Sequence, residues 1–248
     1  LQYELSYPTI LNMLELAEVP VYAKDRGTDM APMVVAGGPC ACNPEPLADF
    51  FDLFILGEGE EVNLELMDLY HRMRREGATR QAFLREAAKL EGIYVPSLYD
   101  VTYNPDGTIR AVTPKDSAPA TVKKRIIRDF DKVYYPENFV VPFTEIVHDR
   151  VSVEVLRGCI RGCRFCQAGF LYRPFREKSE ETVYRECRAL CEHTGYDEVS
   201  LSSLSTSDHS RLDPMLRKLL TYTEAERINL SLPSLRIDNF SQDLPNQL

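Results

Sequence analysis

Ten residues, Arg157-Gly158-Cys159-Ile160-Arg161-Gly162-Cys163-Arg164-Phe165-Cys166, constrain this chain more than any other stretch. The three cysteines stand at spacing C-x3-C-x2-C, and an aromatic residue comes just before the last. Three thiolates this close can face one metal centre, but they cannot fill four ligand positions. A structural zinc site would need a fourth ligand and usually uses C-x2-C pairs. The nearest other candidates are Cys187, Cys191, His193 and His209. Cys187 and Cys191 lie four apart in a helical pattern with Val183 and Leu190 on the same side, so they read as core residues. Disulfide pairing is a third reading. Seven cysteines is an odd number and the chain shows no secretory signal, which points to a reducing cytoplasm. A cluster that keeps one iron open for another ligand accounts for the spacing best.

Composition is that of an ordinary globular protein: 248 residues, 44% hydrophobic and 27% charged. No apolar run approaches the roughly 20 residues of a spanning helix, so no membrane partner is expected. The net charge of −9 argues against a chain built as a whole to bind nucleic acid. The charge is uneven, however. Arg157, Arg161, Arg164, Arg173, Arg176 and Lys178 crowd the cysteine stretch with Glu177 as the one acid among them, and Lys123-Lys124-Arg125 forms a second basic run. Such runs are solvated faces, or they offset the negative charge of a thiolate-bound cluster, or they attract an anionic substrate.

Along the chain, a helical pattern over about 5–18 leads to strand-like runs at Met33-Val34-Val35-Ala36 and Asp52-Leu53-Phe54-Ile55-Leu56. Each run closes on glycines, Gly37-Gly38-Pro39 and Gly57-Glu58-Gly59-Glu60. Asn43-Pro44-Glu45 has the residues of a helix start, and a long helix is expected after Gly59 to about Glu76. The alternation predicts a parallel sheet wrapped by helices. A β-hairpin is expected over 99–112, turning at Asn104-Pro105-Asp106-Gly107, followed by a proline-marked connector. From Val151 the pattern is strand (151–156), cysteine loop, helix from Ser179, strand (198–201), helix (213–222) and strand (228–232). This is the start of a TIM-type barrel, whose chemistry sits at the C-terminal ends of its strands. The expected divisions are 1–98, an α/β domain; 99–148, a linker with the hairpin; and 149–248, the first part of a barrel. The chain starts at Leu1 within a helical pattern and stops soon after a strand, so it reads as a piece of a longer protein.

Spacing and aromatic together resemble the motif of the radical S-adenosylmethionine (radical SAM) superfamily. Ala36-Gly37-Gly38-Pro39 and Gly57-Glu58-Gly59-Glu60 resemble the cobalamin-binding-type domain that precedes many such domains. Together with Gln167-Ala168-Gly169, Tyr172-Arg173-Pro174, Leu204-Ser205 and Leu232-Pro233-Ser234-Leu235-Arg236, they look like a subgroup of uncharacterised radical SAM proteins. The implied fold is α/β: a partial Rossmann-like (cobalamin-binding-type) domain, then the first half of a radical SAM TIM-type partial barrel. The implied cofactors are a 4Fe–4S cluster on Cys159, Cys163 and Cys166, and S-adenosylmethionine. Phe165 would pack beside the adenine. Ser202, Ser203 and Ser205 stand where the family carries a Gly-Gly-Glu-like turn for the methionine amine. Ser234 and Arg236 stand where it has polar or basic residues for ribose or carboxylate, unless Arg236 pairs with Asp238. The Asp-x-His-x-x-Gly cobalt-ligating signature is absent, so cobalamin is doubtful in this stretch. The implied activity is reductive cleavage of the cofactor to a 5′-deoxyadenosyl radical that acts on an unknown substrate. A flavodoxin- or ferredoxin-like electron donor is the expected partner, the location the cytoplasm. Two alternatives stay open. One is a methylthiotransferase or methyltransferase acting on RNA or protein; methylthiotransferases carry three further N-terminal cysteines, and here that half has Cys40 and Cys42. The other is a zinc-stabilised binding module without catalysis.

Overall fold

The computed structural model describes residues 1–116 and 118–239. The end of the expected barrel segment, residues 240–248, lies outside them. Contacts divide the chain into two units, Leu1–Ile127 and Arg128–Leu248. The division falls inside the stretch expected as a linker. The hairpin belongs to the first unit because Tyr99 packs on that unit's core and donates its hydroxyl to Pro119 O at 2.8 Å.

In the first unit, helix α1 (Tyr7–Leu16) precedes a short strand β1 (Val35–Ala36), which pairs in parallel with β2 (Leu53–Ile55). Every residue of β2 is buried, as expected of a parallel strand covered on both faces. Helix α2 (Gly59–Arg75) follows, acidic in its first turn and basic in its last, which suits the helix dipole. Helix α3 (Arg80–Ala87) starts at Thr79, whose hydroxyl accepts the Ala82 N–H at 3.3 Å. Strand β3 (Ile93–Tyr94) closes the sheet antiparallel to β2, so the sheet is mixed. Strands β4 (Tyr99–Tyr103) and β5 (Ile109–Pro114) form the hairpin. The helix expected at Asn43-Pro44-Glu45 is only a 3-10 turn, Glu45–Leu47. Leu47 and Phe51 are buried against Phe54, and β2 must begin at Leu53, so there is no length for a helix.

The glycine turn after β2 has a specific use. Gly57 sits at φ +103°, and a Cβ there would lie 2.2 Å from Arg125 O. The strap around Arg125 bonds to this turn through Arg125 N–H to Leu56 O (2.8 Å) and Glu58 N–H to Arg125 O (3.1 Å), while its guanidinium holds Glu61 and Glu65 of α2. Gly57→Ala is expected to cost at least about 1–3 kcal/mol, more than Gly77→Ala, where φ is +70° but no atom lies within 4 Å. Urea unfolding of both variants checks this, and equal losses would show that the strap simply moves aside.

The second unit is built on a three-stranded parallel sheet. Strand β6 (Val151–Glu154) pairs with β9 (Glu198–Ser202), and β9 pairs with β10 (Asn229–Ser231). The strand expected over 151–156 is broken. After Val155 the chain leaves the sheet, and β7 (Leu156–Arg157) pairs antiparallel with β8 (Arg176–Glu177). A short helix, α4 (Ala168–Leu171), lies in the loop between them. Helix α5 (Glu180–Thr194) is capped by the Ser179 hydroxyl and ends on Gly195 at φ +75°, and α6 (Leu212–Glu226) connects β9 to β10. Val151, Val153, Leu201, Leu190, Met215 and Leu219 form the core between sheet and helices.

Candidate functional site

The β7–β8 pair makes a neck, and residues 158–175 form a loop beyond it. Gly158 sits at φ +85°, where a Cβ would meet Pro174 O and Tyr172 O at 2.7 Å, so this crossing needs glycine. The ring of Phe130 supports the neck. Arg157 and Arg176, one from each strand, lie 4.9 and 5.7 Å from its centroid, and the Lys178 ammonium lies 5.5 Å away.

Cys159, Cys163 and Cys166 all lie on this loop, half-buried and without disulfide partners. The Cys166 N–H bonds to Cys163 O at 3.1 Å, forming a turn, and the Arg161 N–H points at Cys159 Sγ at 3.4 Å. Phe165 is 92% exposed, so it is no core aromatic; its ring is free to cover a bound group. The zinc candidates do not join the three. Cys187 and Cys191 are buried in the core of α5, where burial pushes the Cys187 thiol well up and that of Cys191 to about 11. His209 is bonded to Lys178 O at 3.0 Å and His193 to Glu137 O at 2.7 Å. Among the described residues, no three His, Cys, Asp or Glu side chains are grouped to hold a single ion. A cuboidal cluster puts each thiolate on a different iron and spaces them further apart than one ion does. Three unpaired thiols on one loop, with a backbone N–H aimed at one sulfur, suit that group.

The serines and Arg236 lie beside the loop. Ser202 is exposed at the end of β9, and its carbonyl accepts the Val155 N–H at 3.0 Å. Ser203 Oγ accepts the Ser205 N–H at 3.1 Å and bonds to Thr206 Oγ1 at 2.8 Å, while the buried Ser205 hydroxyl donates to Asp208 at 2.8 Å. Ser234 is exposed at φ +61°, and its carbonyl accepts the Thr206 N–H at 3.2 Å. Arg236 lies near Cys163 of the loop. Its pKa is pushed up, first by the hydrogen bond to Asp238 (Nε–Oδ1 2.9 Å) and last by one to the Cys163 thiol. The pair with Asp238 is the one the sequence left open, and it is exposed. Asp208 was not among the expected site residues, although it receives the guanidinium of Arg161. The signal was faint: one acid at the end of a hydroxyl-rich run after a strand.

The basic run is largely engaged within its own unit. Arg157 is bidentate to Glu154 (2.9 and 2.8 Å), Arg173 donates to Gly169 O at 3.1 Å and lies over Phe170, and Lys178 is held by Glu186. Arg164 is exposed. In the first unit, a cleft of about 850 Å³ is lined by Asp52, Arg80, Tyr94 and Lys115 among others, but Arg80 pairs with Asp52 and Lys115 with Asp100. Both glycine turns are closely packed by backbone. Leu1 O lies 2.8 Å from a Cβ at Gly38, and Arg125 fills the approach to Gly57. No helix among the described residues is long and apolar enough to cross a membrane.

A cysteine loop at the C-terminal end of the first strand of a parallel α/β sheet, after a separate α/β unit, is the layout of a radical SAM protein with an N-terminal domain. Comparison agrees. Residues 153–246 match the family described as the radical SAM superfamily, and residues 1–96 match the one described as radical SAM proteins, N-terminal, so both parts of the chain carry radical SAM matches. The class works with a 4Fe–4S cluster and S-adenosylmethionine. The chain is 26% identical over 248 residues to the uncharacterised protein MJ0966 of Methanocaldococcus jannaschii, covering 98% of this chain and 45% of that protein. It thus spans less than half the length of that relative. Two solved structures of the radical SAM methyltransferase TsrM from Kitasatospora setae are similar in fold. One, with tryptophan and a SAM analogue bound, has TM-score 0.50 at 17% identity over 86% of this chain and 39% of that one. The other, with cobalamin and a 4Fe–4S cluster bound, has TM-score 0.52 at 15% identity over 88% of this chain and 40% of that one.

Proposed function

We propose that this chain is the cluster-bearing part of a radical SAM enzyme, with Cys159, Cys163 and Cys166 as the three cluster ligands. The observation that carries this reading is the set of three unpaired thiols on one loop, at the exit of the first strand of the β6–β9–β10 sheet. That sheet is taken as the first part of a partial barrel. When bound, the cluster and S-adenosylmethionine supply a one-electron cleavage that gives methionine and a 5′-deoxyadenosyl radical, which takes a hydrogen atom from substrate.

The chain's own residues bind and position. The neck on Phe130 fixes where the loop leaves the sheet. The Arg161 N–H would stabilise the reduced, more negative state of a thiolate-held group, while the Arg161 and Arg236 cations are themselves balanced by Asp208 and Asp238. Phe165 supplies an apolar lid that keeps water from the bound cofactor. Ser202, at the exposed strand end, is the serine best placed for the methionine amine, since Ser203 and Ser205 are engaged with Thr206 and Asp208. Ser234 and Arg236 would meet ribose and carboxylate, the latter after exchange of Asp238. An external flavodoxin- or ferredoxin-like donor would supply the electron. A methylthiotransferase's second cluster is disfavoured, since Cys40 is buried and the N-terminal half offers Cys42 as its other thiol.

Anaerobic reconstitution with iron and sulfide is expected to give a brown protein with about four irons per chain that releases 5′-deoxyadenosine with dithionite and S-adenosylmethionine. Cys163→Ala is expected to lose both properties. A colourless wild type that retains one zinc instead would overturn the reading.

A further inference from the structure

Arg161 stands in the middle of the Cys159–Cys163 segment, and its guanidinium grips Asp208 with both prongs: Nε to Oδ2 at 2.8 Å, and Nη2 to Oδ1. Asp208 ends the 3-10 turn Thr206–Asp208 that follows β9, and its side chain is 1% exposed. That turn is stiffened from within. The Asp208 N–H bonds to Ser205 O at 3.0 Å, the Ser205 hydroxyl donates to Asp208 Oδ2 at 2.8 Å, and Ser203 links to Thr206 at 2.8 Å. It is also tied to the segment after β10, through Thr206 N–H to Ser234 O (3.2 Å) and Arg236 N–H to Ser207 Oγ (3.1 Å). Arg161 makes a further contact to Asp238 at 3.3 Å, and its own N–H points at Cys159 Sγ. The hydroxyl-rich run after β9 therefore presents one buried carboxylate to the cysteine loop. A planar, bidentate contact fixes orientation as well as distance, which a single hydrogen bond does not.

We propose that Asp208, acting through Arg161, is a positioning residue that latches the Cys159–Cys163 half of the loop to the end of β9 and so fixes where its thiolates stand. This rests on the reading that the loop holds the cluster. Without the latch, the loop would still be anchored at its neck, but its first two cysteines would be free to swing. The expected consequence is faster cluster loss, not an altered fold.

The test is a double-mutant cycle on the anaerobically reconstituted chain, using Asp208→Asn, Arg161→Gln and the double variant. The readouts are the rate of iron release to a chelator and the electron paramagnetic resonance spectrum of the reduced cluster. Each single variant is expected to release iron roughly tenfold faster, in line with the loss of charge-assisted hydrogen bonds, with a broadened spectrum. The double variant is expected to match the singles, because both break the same contact. Arg161→Lys keeps the charge but not the fork and is expected to behave like Arg161→Gln. Singles at the wild-type rate, or effects that multiply in the double variant, would overturn the latch while leaving the cluster assignment intact. A wild-type chain that takes up no iron would overturn the cluster assignment, and the latch with it. Far-ultraviolet circular dichroism separates a misfolded variant from a loosened loop, and a variant that loses its fold would contradict a purely positioning role.

Discussion

Asp52→Ala is expected to destabilise the first unit by about 3–5 kcal/mol. Asp52 stands immediately before β2, and its two oxygens each receive an arginine: Arg26 Nη1 at 2.9 Å and Arg80 Nη1 at 3.0 Å, with side-chain exposures of 1% to 6% across the three residues. Its Oδ2 also accepts the Val34 N–H at 2.7 Å, next to β1. The remaining arms of the arginines tie down loops. Arg26 donates to Pro20 O, Val21 O and Phe50 O, and Arg80 to Gly27 O and Pro32 O. One carboxylate thus gathers the segment before β1, the start of β2 and the start of α3. Removing it leaves two buried cations facing each other without a counter-charge, and that uncompensated desolvation outweighs the hydrogen bonds lost. Replacing Arg26, Asp52 and Arg80 together with Met, Leu and Met is expected to recover only part of the loss, because it removes the unpaired charge but leaves the Val34 N–H and five backbone carbonyls without their partners. Urea unfolding compares them. A single variant within about 1 kcal/mol of wild type would mean that water reaches the triad.

The second large effect is expected at Lys178 and Glu186. The Lys178 ammonium is fully buried, donates to both oxygens of Glu186 at 2.9 and 2.7 Å, and lies 4.3 Å from the Tyr135 ring centroid. Lys178 directly follows β8, so this pair fastens the neck of the cysteine loop to α5. Glu186→Ala strands the ammonium and is expected to cost about 3–5 kcal/mol. Lys178→Met is expected to cost less, with a particular pH dependence. Burial already raises the Glu186 pKa, and Lys178 is the foremost influence lowering it. Without Lys178 the folded-state pKa rises further above the unfolded value of about 4.3. A raised acid contributes stability that is present below the unfolded pKa and lost as pH climbs through the folded one. Lys178→Met should therefore lie nearest wild type at about pH 4–5 and fall behind toward pH 7. Equal deficits at both pH values would show that Glu186 stays ionised in the variant.

What was legible in the sequence was local. The three cysteines fall within eight residues, so their grouping was visible from spacing alone. The apolar periods of α2, α5 and α6, the Ser179 cap and the glycine-closed strands were equally local, and those elements stand where they were expected. Expectations went astray where a local signal met a tertiary demand. Pro44 and Glu45 would begin a helix, but β2 starts too soon. Val151 to Leu156 would be one strand, but the neck takes its last residue.

The partners of the charges could not be seen. Arg26 and Arg80 reach Asp52 across 26 and 28 residues, and Arg161 reaches Asp208 across 47. Any of several acids could have met each arginine, since long-range pairing depends on where the packed core leaves each side chain. By itself, the sequence determined which side chains stand together: three cysteines on one loop after a buried strand, because that grouping depends on residue type and close spacing. Only the tertiary structure decided what holds the loop in place and which of its neighbouring cations and hydroxyls remain free, because ion pairs across a fold form only after the core has set their distance and removed their water.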